Sequence, residues 1–239
     1  MANDYFQFKQ FRVQQNRCAM KVGTDGTLLG SWAHGGASIL DIGTGTGLIA
    51  LMMAQRFPDA HVTGIDVDED AVAQARENVA ASPFAARLDV IQGDVRAFCP
   101  TTMGDGQPVT YDAIVCNPPF FAHALACPDA QRTLARHASS LPYHDLMRKA
   151  ASLLSENGEL SFVIPFDCLT ELEEAAFLAG LFMCRKWAVK TTPKKAPRRY
   201  LIAFRKHQAS ELESREMVLE EQPGVRSHCY SELTKDFYL

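Results

Sequence analysis

From Ser38 onward, short apolar runs alternate with longer helical ones, and that alternation leaves the chain very few architectures. "SILDIG" precedes the helical "LIALMMAQRF", and "AHVTGID" precedes "DEDAVAQARENVAAS", whose leading Asp suits a helix start. "RLDVIQGD" and "YDAIVCN" read as a third and a fourth strand, and "ELSFVIP" as a fifth. Before the fifth, "YHDLMRKAASLLSENG" has an amphipathic helical pattern, with Asp145 its expected cap and Gly158 its expected terminator. After the helical "FDCLTELEEAAFLAG", the runs "LFMCRKWAVKTT" and "YLIAFRK" flank the loop "PKKAPRR" and predict a closing hairpin. Strands joined through helices require right-handed crossovers. The expected class is therefore α/β: a mostly parallel sheet covered on both faces, with an antiparallel strand at one edge.

A chain of 239 residues can bury a large core without covalent staples. Its seven cysteines are scattered and lack C-x-x-C spacing, which predicts free thiols in a reducing compartment. The histidines lack metal-ligand intervals, so no metal is expected. No run approaches a membrane span and "MANDYFQFKQF" has no signal core, which predicts a cytoplasmic protein without a membrane partner. No obligate protein partner is evident. Residues 1–37 are too few for a domain and are expected to form a flank or lid on a core of residues 38–206. Residues 207–239 are acidic but end in "YSELTKDFYL", whose aromatics predict docking on that core.

Net charge is −4, yet the charge is segregated. Residues 185–206 carry nine cations and no acid, and residues 1–21 carry four against one Asp. A polyanion responds to such local fields within a Debye length, not to net charge. The alternative is two solvated basic faces.

"DIGTGTG" (41–47) lies between the first strand and the first helix, where an open parallel sheet binds ligands. Its glycines permit a tight turn and close approach of a ligand to the backbone. Gly45-x-Gly47-x-x-Ala50 also satisfies a dinucleotide pattern, so a nicotinamide cofactor competes here. Asp66, ending the second strand, could accept from both hydroxyls of a ribose, and Asp94 in "QGDV" could accept from an adenine amine. Both are also ordinary turn residues.

The deciding stretch is "IVCNPPFF" (114–121), which ends the fourth strand. Taken in order, "DIGTGTG", "GID", "QGD" and "NPPF" resemble the class I S-adenosylmethionine-dependent methyltransferases that methylate planar amino nitrogens. The resemblance spans about residues 38–206. It implies a Rossmann-like sheet of seven strands and S-adenosylmethionine as cofactor. It also implies cofactor contacts at Asp41, Gly43, Thr44, Gly45, Gly47, Asp66, Val67, Asp94 and Asn117. An adenine amine is a poor nucleophile because its lone pair is delocalised into the ring. Two acceptors aimed at its N–H bonds would favour the pyramidal form that develops during transfer. The Asn117 side-chain oxygen and the Pro118 carbonyl can be those acceptors. Pro119 lacks an N–H and stiffens the residue before it, and Phe120 offers a stacking face to an extruded base. A bland alternative makes Asn-Pro-Pro a loop starter and the two Phe residues core.

The flanks narrow the resemblance. "FKQFRVQQNRCAMKVGTDGTLLGSWA" (8–33), "RTLARHASSLPYHDL" and "YSELTKDFYL" are similar to the bacterial tRNA adenine-N6 methyltransferases that act beside the anticodon of a valine tRNA. That family implies Lys21 and Thr24-Asp25-Gly26 over the cofactor, and tRNA as substrate. Phe120 stands where many relatives have Tyr, which keeps the stacking and loses a hydroxyl. The basic residues Lys194, Lys195, Arg198 and Arg199 then read as phosphate contacts, with Arg132, Arg136 and Lys149 as additions. Ribosomal guanine-N2 methyltransferases share N-P-P-F and are the alternative. Release-factor glutamine methyltransferases carry a larger N-terminal domain, DNA adenine methyltransferases a target-recognition region, and a non-catalytic RNA-binding module would not need the intact motif.

Overall fold

The computed structural model describes residues 4–18, 20–100, 109–118 and 141–239. A short hairpin of β1 (Tyr5–Gln7) and β2 (Arg12–Gln14) is followed by helix α1 (Thr24–Trp32). The alternation expected from Ser38 onward is then realised as β3 (Ser38–Ile42), α2 (Leu48–Arg56), β4 (His61–Asp66), α3 (Glu69–Ala80), β5 (Leu88–Gln92) and β6 (Tyr111–Cys116). Next come α4 (Tyr143–Leu153), β7 (Leu154–Pro165), α5 (Leu169–Leu178), β8 (Phe182–Lys190) and β9 (Arg199–Arg205). The chain closes with β10 (Glu213–Val218), a small hairpin of β11 (Glu220–Gln222) and β12 (Val225–Arg226), and α6 (His228–Thr234).

The main sheet has the order β10-β8-β9-β7-β6-β3-β4-β5. Strand β3 pairs in parallel with β4 on one side and β6 on the other, so the winding reverses at β3. Such a switch point opens a crevice at the carboxyl ends of the strands. Buried strands place successive side chains on opposite faces. Ile39, Ala113, Val115 and Val163 join a core beneath α1 and α2, whereas Leu40, Ile114, Phe162 and Ile164 join a second core beneath α4 and α5. Both faces of the sheet are thus apolar, as the near-continuous hydrophobic strands require.

Four expectations are corrected: the strand count, the place of the antiparallel strand, and the cap and terminator of the helix before β7. The sheet has eight strands among the described residues, and its antiparallel strand is internal: β9 runs against both β7 and β8. The edge belongs to β10, which pairs in parallel with β8 with Glu213 opposite Arg185, and ion pairs join Glu213 to Arg185 (3.5 Å) and Glu216 to Lys190 (2.9 Å). Acids of the segment expected to dock on the core are therefore the charge partners of a basic strand. The helix before β7 also stops at Leu153, short of Gly158, and its N-cap is Pro142 rather than Asp145, which pairs with Arg148. Gly158 is needed for close approach instead: a Cβ there would lie 3.0 Å from the Asp112 carbonyl oxygen and 2.8 Å from Leu154. At α3, by contrast, Asp68 accepts from the N–H groups of Asp70 (2.9 Å) and Ala71 (3.3 Å), a cap worth about 1 kcal/mol.

Candidate active site

Strand β3 delivers the chain to the switch point and the glycine loop turns it into α2. Gly43, Gly45 and Gly47 adopt φ values of 69°, 56° and 80°, the left-handed region that other residues enter only under strain. The loop rests on β4 because residue 64 is glycine; a Cβ there would stand 2.8 Å from the Thr44 hydroxyl. Above Gly43 the space is open, with nothing within 4 Å of where a Cβ would lie. Most of the loop's N–H groups are already engaged. Gly43 and Thr44 donate to the Ile65 carbonyl (2.8 and 3.1 Å), Gly47 to the Thr44 carbonyl (2.8 Å) and Gly45 to Asp66 Oδ2 (2.8 Å).

Asp41 is fully buried under this loop. Its Oδ2 accepts from the Thr44 hydroxyl (2.7 Å) and the Ala50 N–H (3.1 Å), while Oδ1 has no partner among the described residues. Burial pushes its carboxyl up to about 7 against these hydrogen bonds, with the charge of Asp66 adding to the rise. Asp66 ends β4 and fixes both flanks, accepting from Gly45 N–H with Oδ2 and from Asp68 N–H (3.0 Å) with Oδ1. Val67 follows it and is exposed. The Gly93 N–H donates to the Asp66 carbonyl (2.8 Å), which seats Asp94 next along the same edge. Asp94 is held by Arg96, whose Nη2 and Nε lie 2.5 and 2.8 Å from its Oδ2, and this bonding keeps its carboxyl below the usual range. An amine approaching Asp94 meets that guanidinium first.

Asn117 sits on the other side of the loop, directly after Cys116, which pairs with Ile42. Its Oδ1 is buried and without a hydrogen-bond partner among the described residues, and Pro118 beside it is buried. Pro119, Phe120, Arg132 and Arg136 lie outside the described residues. Burial raises the Cys116 thiol well above its ordinary value, so it is inert as a nucleophile.

Residues upstream of β3 reach the same edge. Thr24 opens α1, and a Cβ on Gly26 would meet Leu48 at 3.0 Å, at the start of α2. Asp25 pairs with Arg199 at the start of β9. The Lys21 ammonium donates to the Gln15 carbonyl at 3.2 Å. One connecting residue escaped the sequence reading. Asn78 in α3 donates to the carbonyls of Gln14 and Thr46 (2.9 Å each) and accepts from the Gln14 N–H (2.8 Å), stapling β2 to the glycine loop. Its signal was visible: Gln74 and Asn78 are two buried amides spaced i,i+4 on a helix face otherwise made of Ala and Val.

The basic region divides. Arg185 and Arg205 hold the buried Glu159, Lys190 pairs with Glu216, Lys206 with Glu156, and Arg199 with Asp25. Lys194, Lys195 and Arg198 are exposed in the β8–β9 loop and have no ion-pair partner among the described residues. Because Arg199 pairs with Pro165 at the carboxyl end of β7, this loop stands at the same edge of the sheet as Asn117.

The crevice therefore presents acceptors, namely Asp41, Asp66 and Asn117, around an open glycine turn whose own donors are mostly occupied. A pyrophosphate needs free N–H groups at a helix N-terminus. A hydroxyl-bearing, cationic group fits this set better. Among the described residues no His, Cys, Asp and Glu cluster suits a metal ion, and no helix is long and apolar enough to cross a membrane.

Comparison with known proteins agrees with this chemistry. The methyltransferase small domain matches residues 27–174. The chain is 45% identical to the tRNA1(Val) (adenine(37)-N6)-methyltransferase of Bacteroides thetaiotaomicron, over 100% of this chain and 99% of that one. It is also 45% identical to the protein of that name from Flavobacterium johnsoniae, over 98% and 99%. A solved structure of a predicted O-methyltransferase from Agrobacterium tumefaciens shares the fold with a TM-score of 0.65, at 22% identity, covering 89% of this chain and 96% of that one. With a class I methyltransferase fold and end-to-end likeness of this degree, the chain belongs to the family of the tRNA1(Val) (adenine(37)-N6)-methyltransferases.

Proposed function

We propose that this protein transfers a methyl group from S-adenosylmethionine to the exocyclic N6 nitrogen of an adenosine in tRNA, at position 37 beside the anticodon of a valine tRNA. The observation that carries the reading is the buried, unpartnered Asn117 Oδ1 next to the glycine loop. A buried acceptor without a donor is costly to keep, by about 1–3 kcal/mol, which calls for a ligand N–H at that point. The full-length relatives named for N6 methylation of adenosine 37 support the choice of base.

When bound, S-adenosylmethionine supplies an electrophilic methyl group on a sulfonium. Asp66 accepts from ribose hydroxyls without releasing the glycine loop, since a carboxylate has about four lone-pair sites and two are in use. The unpartnered Asp41 Oδ1 would take a positively charged group of the cofactor. Gly43, Thr44 and Gly47 would let it approach the main chain, with Val67 beside it, and Asp94 would accept from its amine in place of Arg96. Asn117 Oδ1 and the Pro118 carbonyl hold the two N–H bonds of the target amine, with Pro119 and Phe120 completing the motif. The nitrogen loses its proton after transfer, so no strong base is required.

The same proposal makes residues 1–37, with Lys21 and Thr24, a lid on the cofactor, residues 38–206 the methyltransferase core and residues 207–239 a segment docked on it, in a cytoplasmic protein. Lys194, Lys195, Arg198 and Arg199, with Arg132 and Arg136, face the tRNA.

The test is methyl transfer from labelled S-adenosylmethionine to tRNA by wild type and Asn117→Ala, alongside cofactor titration. The variant is expected to bind the cofactor as wild type does and to lose transfer about 100-fold or more, the loss seen when one transition-state acceptor or donor is removed. Full activity in the variant would refute the role of Asn117.

A further inference from the structure

Phe166 follows β7 directly and is 47% exposed, although its ring is large and apolar. Single exposed aromatics are common, but this one is built into a platform. Its ring stacks on Tyr200 with centroids 5.4 Å apart and planes at 26°, and the Lys186 ammonium lies 5.9 Å from the Tyr200 ring on the adjoining strand. Its N–H donates to the Arg198 carbonyl at 3.0 Å, which fixes the ring relative to the β8–β9 loop. Phe166, Asp167 and Arg198 line an open groove of about 390 Å³. The groove's second acid, Asp25, is already neutralised by Arg199.

The groove is also in the right place. Cys116 pairs with Phe162, so Asn117 and Phe166 lie just past the carboxyl ends of adjacent strands at the same edge of the sheet. Strand spacing and rise put them on the order of 11 Å apart. A flat apolar ring beside Arg198, on a loop that also carries Lys194 and Lys195, all three without carboxylate partners among the described residues, matches one kind of ligand: a nucleotide of a single strand, its base on the ring and its phosphates on the cations. Asp167 can accept from a base amine or a ribose hydroxyl.

We infer that Phe166 is a stacking platform for an unpaired nucleotide neighbouring the methylated one, so that the enzyme reads at least two splayed bases of its RNA. The inference rests on the function proposed above and extends it to a second subsite.

Phe166→Ala, Phe166→Leu and Phe166→Trp separate stacking from packing. KM and kcat for tRNA would be measured with calorimetric titration of S-adenosylmethionine. Loss of a base–aromatic stack predicts a KM raised about 5- to 100-fold in the Ala and Leu variants, with cofactor affinity unchanged and Trp near wild type. The Trp variant should also show tRNA-induced quenching beyond that of the native Trp32 and Trp187. A Leu variant equal to wild type, or a parallel loss of cofactor affinity, overturns the platform while tRNA methylation by the wild type stands. If the wild type does not methylate tRNA at all, the parent reading fails and the platform with it.

Discussion

Asp41 gives the most quantitative check on the site. The fold raises its carboxyl from 3.8 to about 7, chiefly by burial, so the folded state holds this proton more tightly than the unfolded chain does. The penalty is absent below about pH 4, grows through the interval and is complete above about pH 7, where it reaches about 4 kcal/mol at 1.4 kcal/mol per unit. Asp41→Asn removes the charge and can keep the structure. Its amide oxygen can take the place of Oδ2 and accept from Thr44 and Ala50, leaving the NH2 on the unpartnered side. For a domain of this size about 2 °C accompanies each kcal/mol, so the variant should melt about 8 °C above wild type at pH 8, with the gap closing towards pH 4. Differential scanning calorimetry of the ligand-free proteins at both pH values reads this directly. The same variant should bind S-adenosylmethionine more weakly by about 10- to 100-fold, because a charge-assisted contact is lost and an N–H donor faces a cation. A variant no more stable than wild type at pH 8 would refute the account of a buried, strained carboxylate awaiting a cation.

Other consequences follow from the charges around the sheet edge. Burial pushes the Glu159 carboxyl up, but the His34 hydrogen bond and the charges and bonds of Arg185 and Arg205 outweigh it and hold it at about 2. Its contribution is complete above about pH 4.5 and fades as pH falls towards 2. Glu159→Gln, which leaves the buried Arg185 only its longer pairing with Glu213 (3.5 Å), should therefore lower stability in urea by about 3 kcal/mol at pH 7, and by less at pH 2.5. Reversing Lys194, Lys195 and Arg198 to Glu should weaken tRNA binding and reduce the slope of log affinity against log salt by about 2, as each lost phosphate contact removes 0.7–0.9. Unchanged binding across several salt concentrations would remove this loop from the interface.

Much of this was legible in the sequence because it is local. The strands from Ser38 to Cys116, the glycine turn and the Asp68 cap each follow from a short window of residues. What stayed hidden depends on distant partners. Nine cations in one segment suggested a broad phosphate surface, yet Arg185 and Arg205 neutralise a carboxylate on β7 and Lys190 meets an acid on β10. The same pairing converts the acidic tail into the edge strand. Gly158 read as a helix stop because glycine commonly ends helices, whereas its reason is the Asp112 backbone 46 residues away. Asp94 was legible as a strand-end acceptor, but its lock by Arg96 depends on side-chain geometry that spacing does not reveal.

The crevice at β3 is assigned here to methylation of an adenine amine in tRNA beside the anticodon. Mass spectrometry of ribonuclease fragments from a valine tRNA, before and after incubation with the protein and labelled S-adenosylmethionine, tests it most directly. One methyl group, released as N6-methyladenosine, is expected in the single fragment that carries position 37. Label in N2-methylguanosine, or in no tRNA fragment, would contradict it.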